Sequence, residues 1–124
     1  MEKDVWIIRK YRNNRFTLPK AFRDHFAGNG EYNVVITRGQ DKCLSLVAKD
    51  EFMQSVGKLD SYNNRILVRH FLADAIPVQP DSSGRILIPE DMLSYIGIND
   101  ECCFIRKKSS SGVWKYEIRS PGNE

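Results

Sequence analysis

The stretch Asp81-Ser82-Ser83-Gly84-Arg85-Ile86-Leu87-Ile88-Pro89 decides how this chain folds. Aspartate at the start of a turn can accept hydrogen bonds from backbone N–H groups two residues on, and glycine adopts positive φ freely. The alternating residues after the turn predict a short strand, and the proline suits the first turn of a helix. The stretch therefore predicts a turn, a strand and a helix in succession, with Arg85 leaving a backbone that the turn holds fixed.

A guanidinium held beside exposed backbone suits phosphate or guanine, because its planar fork can bond either group with two hydrogen bonds. Turn chemistry alone leaves a second interpretation open, which is an ordinary hairpin turn containing an ion pair between Asp81 and Arg85. The motif by itself does not separate these two interpretations.

The same pattern occurs earlier in the chain, where Arg15-Phe16-Thr17-Leu18-Pro19 aligns with positions 85–89. Apolar positions continue to coincide beyond it, at Phe22 and Met92, Phe26 and Ile96, Val34 and Phe104, and Val35 and Ile105. Internal duplication is the economical explanation, although two strand-turn-helix units can match apolar patterns by chance. We predict two repeats, 4–49 and 74–119, within a single domain of residues 1–119.

Periodicity and turn residues predict that each repeat is mostly β with one short helix. The first repeat is predicted to contain strands 4–10 and 15–18 around a turn at 11–14, a helix 20–27 ended by Gly28-Asn29-Gly30, and a hairpin of 32–37 with 43–48. The second is predicted to contain strands 75–78 and 85–88 around a turn at 81–84, a helix 90–96 ended by Gly97, and a hairpin of 102–107 with 113–119.

The segment 50–73 between the repeats has a helical pattern. Asp50 is a plausible N-cap for a helix at 51–59, and Ser61 for a helix at 62–72. We expect both helices to pack on the β core, because the segment lacks the composition of a flexible linker. The apolar-free tail 120–124 is predicted to be flexible.

Composition places the chain among ordinary globular domains, with 41% hydrophobic residues and a net charge of +3 over 124 residues. The apolar runs are far too short for a membrane span, and the acidic start does not resemble a signal peptide, so we expect a soluble protein that is not exported and has no membrane partner. The segment 1–25 carries seven Lys and Arg side chains against three Asp and Glu. This excess indicates either a solvated basic face or contact with phosphate.

Enzyme and metal motifs are missing from the sequence. Cys43, Cys102 and Cys103 form an odd set with neither Cys-x-x-Cys nor histidine at ligand spacing, so we predict buried thiols rather than a disulfide or zinc site. Cys43 with His25 or His70 could form a Cys/His nucleophile pair, but such a combination occurs in most chains of this length and has negligible specificity. Nucleotide-binding and hydrolase signatures are also missing, and we expect no catalysis, cofactor or small-molecule substrate.

The motif Asp-x-x-Gly-Arg-hydrophobic-x-hydrophobic-Pro, repeated around a helical stretch with Lys58-Leu59 and Arg65, resembles the MraZ proteins. These are bacterial regulators of the division and cell-wall gene cluster within the AbrB/MazE/MraZ superfamily. The resemblance covers about residues 4–118. It implies a tandem swapped-hairpin β-barrel, in which two copies in one chain build the pseudo-twofold unit that AbrB-like relatives build from two chains.

The resemblance also implies a transcriptional regulator in the bacterial cytoplasm, at the nucleoid, that assembles into a ring-like homo-oligomer on short direct repeats in double-stranded promoter DNA. Arg85 and Arg15 match the DNA-facing arginines, and Asp81 and Gly84 match the turn residues. The basic side chains expected near phosphate and groove with them are Arg9, Lys10 and Arg12.

The first repeat departs from the motif, because Tyr11 and Asn14 stand where Asp and Gly belong. Asparagine tolerates the left-handed conformation best among non-glycine residues, so the turn can survive. The anchoring carboxylate is lost, however. We therefore predict that Arg15 is less rigidly held than Arg85.

Large aromatic side chains indicate more apolar surface than one thin barrel can hide, which predicts a homo-oligomer larger than a dimer. They are Trp6, Phe52, Phe71, Trp114 and Tyr116. Two other functions stay open at this point. One is an oligomeric interaction module that has lost DNA binding, and the other is an AbrB-like antitoxin, which is disfavoured because antitoxins usually carry a disordered partner-binding tail.

Overall fold

A computed structural model describes residues 2–27, 34–39, 41–59 and 74–123. The described chain is mostly β. Its strands are β1 (Lys3–Arg9), β2 (Arg15–Thr17), β3 (Val34–Arg38), β4 (Leu44–Ala48), β5 (Ile76–Val78), β6 (Arg85–Leu87), β7 (Glu101–Lys108) and β8 (Trp114–Arg119). The helices are α1 (Lys20–Phe26), α2 (Lys49–Leu59) and α3 (Glu90–Ile96), and a 3-10 turn at Arg12–Asn14 joins β1 to β2.

The predicted strands all occur, with bounds that shift by one or two positions. Helix α3 ends as predicted, because Gly97 adopts φ 72° at its C-cap. The prediction for α2 is wrong in one detail: the helix begins at Lys49, so Asp50 lies in its first turn and is not the N-cap. A carboxylate there still stabilises the helix through its dipole. The predicted helix 62–72 and the helix stop 28–30 lie outside the described residues.

Six strands form one antiparallel sheet in the order β1-β7-β8-β4-β3-β5, and β2 pairs with β6 in a separate two-stranded ribbon. The order reads the same from either end once each strand is exchanged for its counterpart in the other repeat: β1 for β5, β7 for β3, and β8 for β4. Strand β1 therefore pairs with a strand of the second repeat, and β5 pairs with a strand of the first.

The sheet is open rather than closed into a barrel. Among the described residues its two edge strands, β1 and β5, do not pair with each other. The physical reason lies in the strands themselves, since β5 has only three residues against seven in β1, while β2 and β6 leave the sheet to pair together. The expectation of a mostly β fold is confirmed, and the expectation of a closed barrel is not.

The main core lies between one face of the sheet, the ribbon, and helices α1 and α3. Phe22 of α1 occupies its centre and makes edge-to-face contacts with Trp6, Phe104 and Tyr116, at centroid distances of 5.8, 5.5 and 4.9 Å. Such aromatic pairs add about 0.5–1.5 kcal/mol each beyond the area that they bury. Helix α2 packs elsewhere, with Phe52 against Val35 and its neighbours.

The aromatic side chains do not support the surface argument made from the sequence. Phe52 and Tyr116 are buried within the chain, and Trp6 and Trp114 pack partly buried against the core. Phe71 lies outside the described residues. The large apolar side chains that are exposed in the described chain are instead Val5, Ile7, Tyr11, Met53, Leu87 and Val113.

The cysteines are buried as predicted. Cys102 faces the main core, and burial raises the pKa of its thiol far above the ordinary value. Burial also raises the pKa of Cys43. A protonated thiol is a weak nucleophile, so these side chains act as small hydrophobic residues. Over the described ranges, no helix has the length and apolar character needed to span a membrane.

Candidate nucleic-acid interface

The two arginine motifs meet in the ribbon, where β2 and β6 run antiparallel. Phe16 lies opposite Ile86 at the centre of the ribbon, and both side chains are fully buried. Because side chains alternate along a strand, the residues on either side of this pair point away from the core. The resulting ribbon face consists of Arg15 opposite Leu87 and Thr17 opposite Arg85.

Backbone hydrogen bonds link each turn to the strand of the other repeat. The N–H of Leu18 donates to the carbonyl of Gly84 at 2.9 Å, and the N–H of Ile88 donates to the carbonyl of Asn14 at 3.0 Å. The two bonds are equivalent, because Leu18 aligns with Ile88 and Asn14 with Gly84. In one bond the first repeat donates, and in the other the second repeat donates. They fix the turns beside each other, so the two arginines share one rigid platform.

The second turn has the chemistry predicted from its sequence. The Asp81 carboxylate accepts hydrogen bonds from the N–H groups of Ser83 at 2.9 Å and Arg85 at 3.0 Å. Gly84 adopts φ 77°, which a residue with a Cβ rarely does. The hydrogen bond from Arg85, then that from Ser83, and the nearby positive charges lower the pKa of Asp81. The carboxylate is therefore ionised at neutral pH and can anchor the turn.

The first turn closes without a carboxylate. The N–H of Tyr11 donates to the carbonyl of Arg15 at 2.8 Å, the same distance as the equivalent bond from Asp81 to Arg85. Asn13 and Asn14 both adopt φ 58°, which confirms that asparagine can replace glycine here. The side-chain amide of Asn14 also donates to Glu90 at 3.0 Å, so α3 braces the turn.

Each arginine contacts the first motif residue of the other repeat. The guanidinium carbon of Arg85 lies 3.9 Å from the centroid of the Tyr11 ring, and Nε of Arg15 lies 3.9 Å from a carboxylate oxygen of Asp81. The hairpin interpretation expected an ion pair between Asp81 and Arg85, whereas the ion pair that forms involves Arg15. Within the described chain Nε of Arg85 is buried and has no hydrogen-bond partner.

A third arginine flanks the second turn, from helix α1. Cδ and Nη1 of Arg23 would lie 3.3 and 3.4 Å from a Cβ at Gly84, so the side chain packs directly against this glycine. Like Arg85, Arg23 has a buried Nε without a hydrogen-bond partner in the part of the chain that is described. The basic charge of the segment 1–25 was the only sequence signal for this contact.

The remaining predicted basic residues lie beside the ribbon or further away. Arg12 is exposed in the 3-10 turn between Tyr11 and the two asparagines. Arg9 ends β1 opposite Glu101, and the N–H of exposed Lys10 donates to the carbonyl of Asp100 at 2.6 Å. The structure thus brings Arg12, Arg15 and Arg85 around the two turns, whereas Arg9 and Lys10 adjoin acidic residues at the end of the sheet.

The ribbon face also contains two residues that the sequence reasoning passed over. Leu87 is 49% exposed and, with Arg15 and Arg85, lines an open groove of about 350 Å³ between the ribbon and β5. Thr17 is exposed at the equivalent position of β2. The sequence contained a signal for their position. The alignment of the repeats places Thr17 on Leu87, and strand alternation turns both side chains toward the same side as the arginines.

No family model matches the chain. Curated relatives do: the chain is 36% identical over 106 residues to a protein of Kocuria rhizophila, covering 81% of this chain and 71% of the relative. It is 32% identical over 108 residues to a protein of Thermomicrobium roseum, with coverages of 83% and 73%. A protein of Clostridium acetobutylicum is 30% identical over 109 residues, with coverages of 84% and 74%. Each of these relatives is named transcriptional regulator MraZ.

Proposed function

The chain belongs to the MraZ family of transcriptional regulators, and from this premise we propose that it binds double-stranded promoter DNA sequence-specifically through the ribbon face. One observation carries the proposal. Arg15 and Arg85 lie on the same exposed face of a two-stranded ribbon whose backbone is fixed by two interlocked turns. The major groove of B-DNA admits a two-stranded β-ribbon, and arginine is the commonest reader of guanine there.

Direct readout and phosphate contact fall to different residues. Arg15 and Arg85 can each bond O6 and N7 of a guanine, since within the described chain Arg15 makes only a long ion pair with Asp81, at 3.9 Å, and Arg85 stacks on the Tyr11 ring. Arg12, Arg9 and Lys10 are exposed and suit phosphate, which positions the protein without reading sequence. The repeats therefore supply two base-reading arginines, surrounded by charges that attract the DNA backbone.

We further propose that the chain is an internal duplication with exchanged hairpins and that it assembles into a ring-like homo-oligomer on short direct repeats at the bacterial nucleoid. The symmetric strand order and the pairing of β1 and β5 with the opposite repeat support the duplication. Exposed Val5 and Ile7 on edge strand β1 offer apolar surface for assembly. Several ribbons on one ring add modest contacts into strong binding by avidity.

Selection from a pool of random DNA duplexes, followed by mobility shift at two salt concentrations, tests the proposal. We expect enrichment of one sequence and binding that weakens steeply with salt, by about 0.9 log unit per log unit of salt for each phosphate neutralised. Arg15→Ala and Arg85→Ala should each reduce discrimination against unrelated DNA. A folded protein that enriches no sequence favours the interaction module, and co-purification of a small toxin favours the antitoxin.

A further inference from the structure

We infer that Leu87 reads the methyl group of a thymine, and that the difference between Leu87 and Thr17 gives the bound DNA site a direction. The inference rests on the proposed function and names a specificity-determining residue within it. Its starting point is an exposed leucine at one end of the ribbon face, whose other residues are Arg15, Thr17 and Arg85.

The position of Leu87 suits a base edge rather than the protein interior. Its neighbours in the chain, Ile86 and Ile88, are fully buried, while Leu87 itself is 49% exposed and lies directly opposite Arg15. Directly opposite residues of an antiparallel pair have Cβ atoms about 4.5–5.5 Å apart. An arginine that bonds a guanine therefore holds this leucine close to an adjacent base pair.

Thymine is the base whose major-groove edge offers an apolar group, its C5 methyl, and apolar side chains recognise it by contact. Two positively charged guanidinium groups lie on the same face as the leucine, so the surface is complementary to a polyanion. The geometry thus favours a thymine next to the guanine read by an arginine.

The two repeats differ at this one position of the ribbon face. The pseudo-twofold relation of the ribbon exchanges Arg15 with Arg85 and Thr17 with Leu87, since Phe16 lies opposite Ile86 at its centre. The two arginines offer the same hydrogen-bonding groups to both halves of a site, whereas Leu87 and Thr17 do not offer the same side chain. Leucine presents a large apolar surface where threonine presents one methyl and a hydroxyl, so the halves are read differently.

The decisive experiment replaces thymine by deoxyuridine, which removes only the C5 methyl. The probe is the duplex enriched from the random pool, with each thymine replaced in turn. We expect one replacement per ribbon to weaken wild-type binding about fourfold, as burial of one methyl-sized group predicts. The Leu87→Ala protein should bind the thymine and deoxyuridine duplexes equally.

Two control variants keep the test specific. Met53→Ala removes another exposed apolar side chain, in α2, and should keep the wild-type response to deoxyuridine. Leu87→Thr makes the outward-facing residues of the two strands alike, and sequences selected with it should be more symmetric than those selected with the wild type. Circular dichroism melting establishes that each variant is folded.

The outcomes separate this inference from the proposed function. If a sequence is enriched and both arginine variants lose discrimination, but every thymine tolerates deoxyuridine, then the methyl readout is overturned and DNA binding stands. If the Leu87→Thr protein selects the same directional site as the wild type, then the asymmetry has another origin. If no sequence is enriched, then both fail.

Discussion

The guanidinium carbon of Arg85 lies 3.9 Å from the centroid of the Tyr11 ring, so an aromatic residue of the first repeat supports the arginine of the second. Tyr11 occupies the motif position at which the second repeat has Asp81. The departure that breaks the first motif therefore has a structural role. The flat ring matches the planar guanidinium and restricts its orientation.

Tyr11→Ala should weaken sequence-specific DNA binding by about two- to fivefold, because cation–π contacts at exposed sites contribute about 0.5–1 kcal/mol. Tyr11→Phe keeps the ring and should bind as the wild type does. Fluorescence anisotropy with the enriched duplex and an unrelated one measures both variants. Equal binding by Tyr11→Ala and Tyr11→Phe would show that the ring does not position Arg85.

Arg85→Ala should cost about 1–3 kcal/mol of discrimination between bases, as expected for a lost bidentate contact. Arg15→Ala should have a smaller effect at matched salt, because its guanidinium lacks the aromatic support of Arg85 and partly faces the Asp81 carboxylate. Lys10→Ala should instead weaken all sequences alike and reduce the salt slope. Competition titrations check the three variants. If Arg15→Ala binds DNA as the wild type does, then the first repeat has only a structural role.

Gly84→Ala should destabilise the fold by about 1–2 kcal/mol, the cost of the left-handed conformation for a residue with a Cβ. The new Cβ would also lie 3.3 Å from Cδ of Arg23, so that side chain must shift. Asn14→Gly is the matched control in the first turn and should change stability by less than about 1 kcal/mol. Urea unfolding midpoints compare the two variants. Similar midpoints would contradict the expectation that the second turn requires glycine more strictly than the first.

His25 should make the fold less stable in mild acid. Its ring stacks on Tyr116 at a centroid distance of 4.3 Å, and partial desolvation there, with a smaller contribution from Arg106, lowers the pKa of His25 against the opposing charge of Glu51. The unfolded chain therefore binds a proton more readily than the folded chain does. The free energy of unfolding consequently decreases as pH falls below about 6.5, the ordinary histidine pKa. His25→Phe keeps a stacked ring and should flatten the dependence of stability on pH between 7 and 5. An unchanged slope in urea unfolding across that window would exclude His25 as its source.

Light scattering at micromolar concentration should give an oligomer larger than a dimer. The apolar surface available for it is not the set of aromatic residues considered first, since most of those pack within the chain. Ile7, which is 56% exposed on edge strand β1, is the better candidate. Ile7→Lys should reduce the oligomer mass and weaken binding to repeated sites more than to a single site. A wild-type monomer of 14.3 kDa would contradict the prediction.

The sequence alone determined the local elements and the two motif turns. Alternation, proline and glycine act over a few residues, so strands β2 and β6, the helices after Pro19 and Pro89, and the left-handed Gly97 could be predicted from them. The same local rules turned Arg15 and Arg85 away from the core. The family was also recognisable, because its motif occurs complete in the second repeat and in altered form in the first.

Only the tertiary structure decided which residues of the two repeats meet. Strand register depends on pairing between distant segments, and a shift of one residue would reverse which side chains face outward. The contacts of Tyr11 with Arg85 and of Asp81 with Arg15 exist because Phe16 pairs with Ile86. The burial of Phe52 and Tyr116 likewise depends on packing across the sheet, which composition cannot predict, since a large apolar residue is equally suited to a core and to an interface.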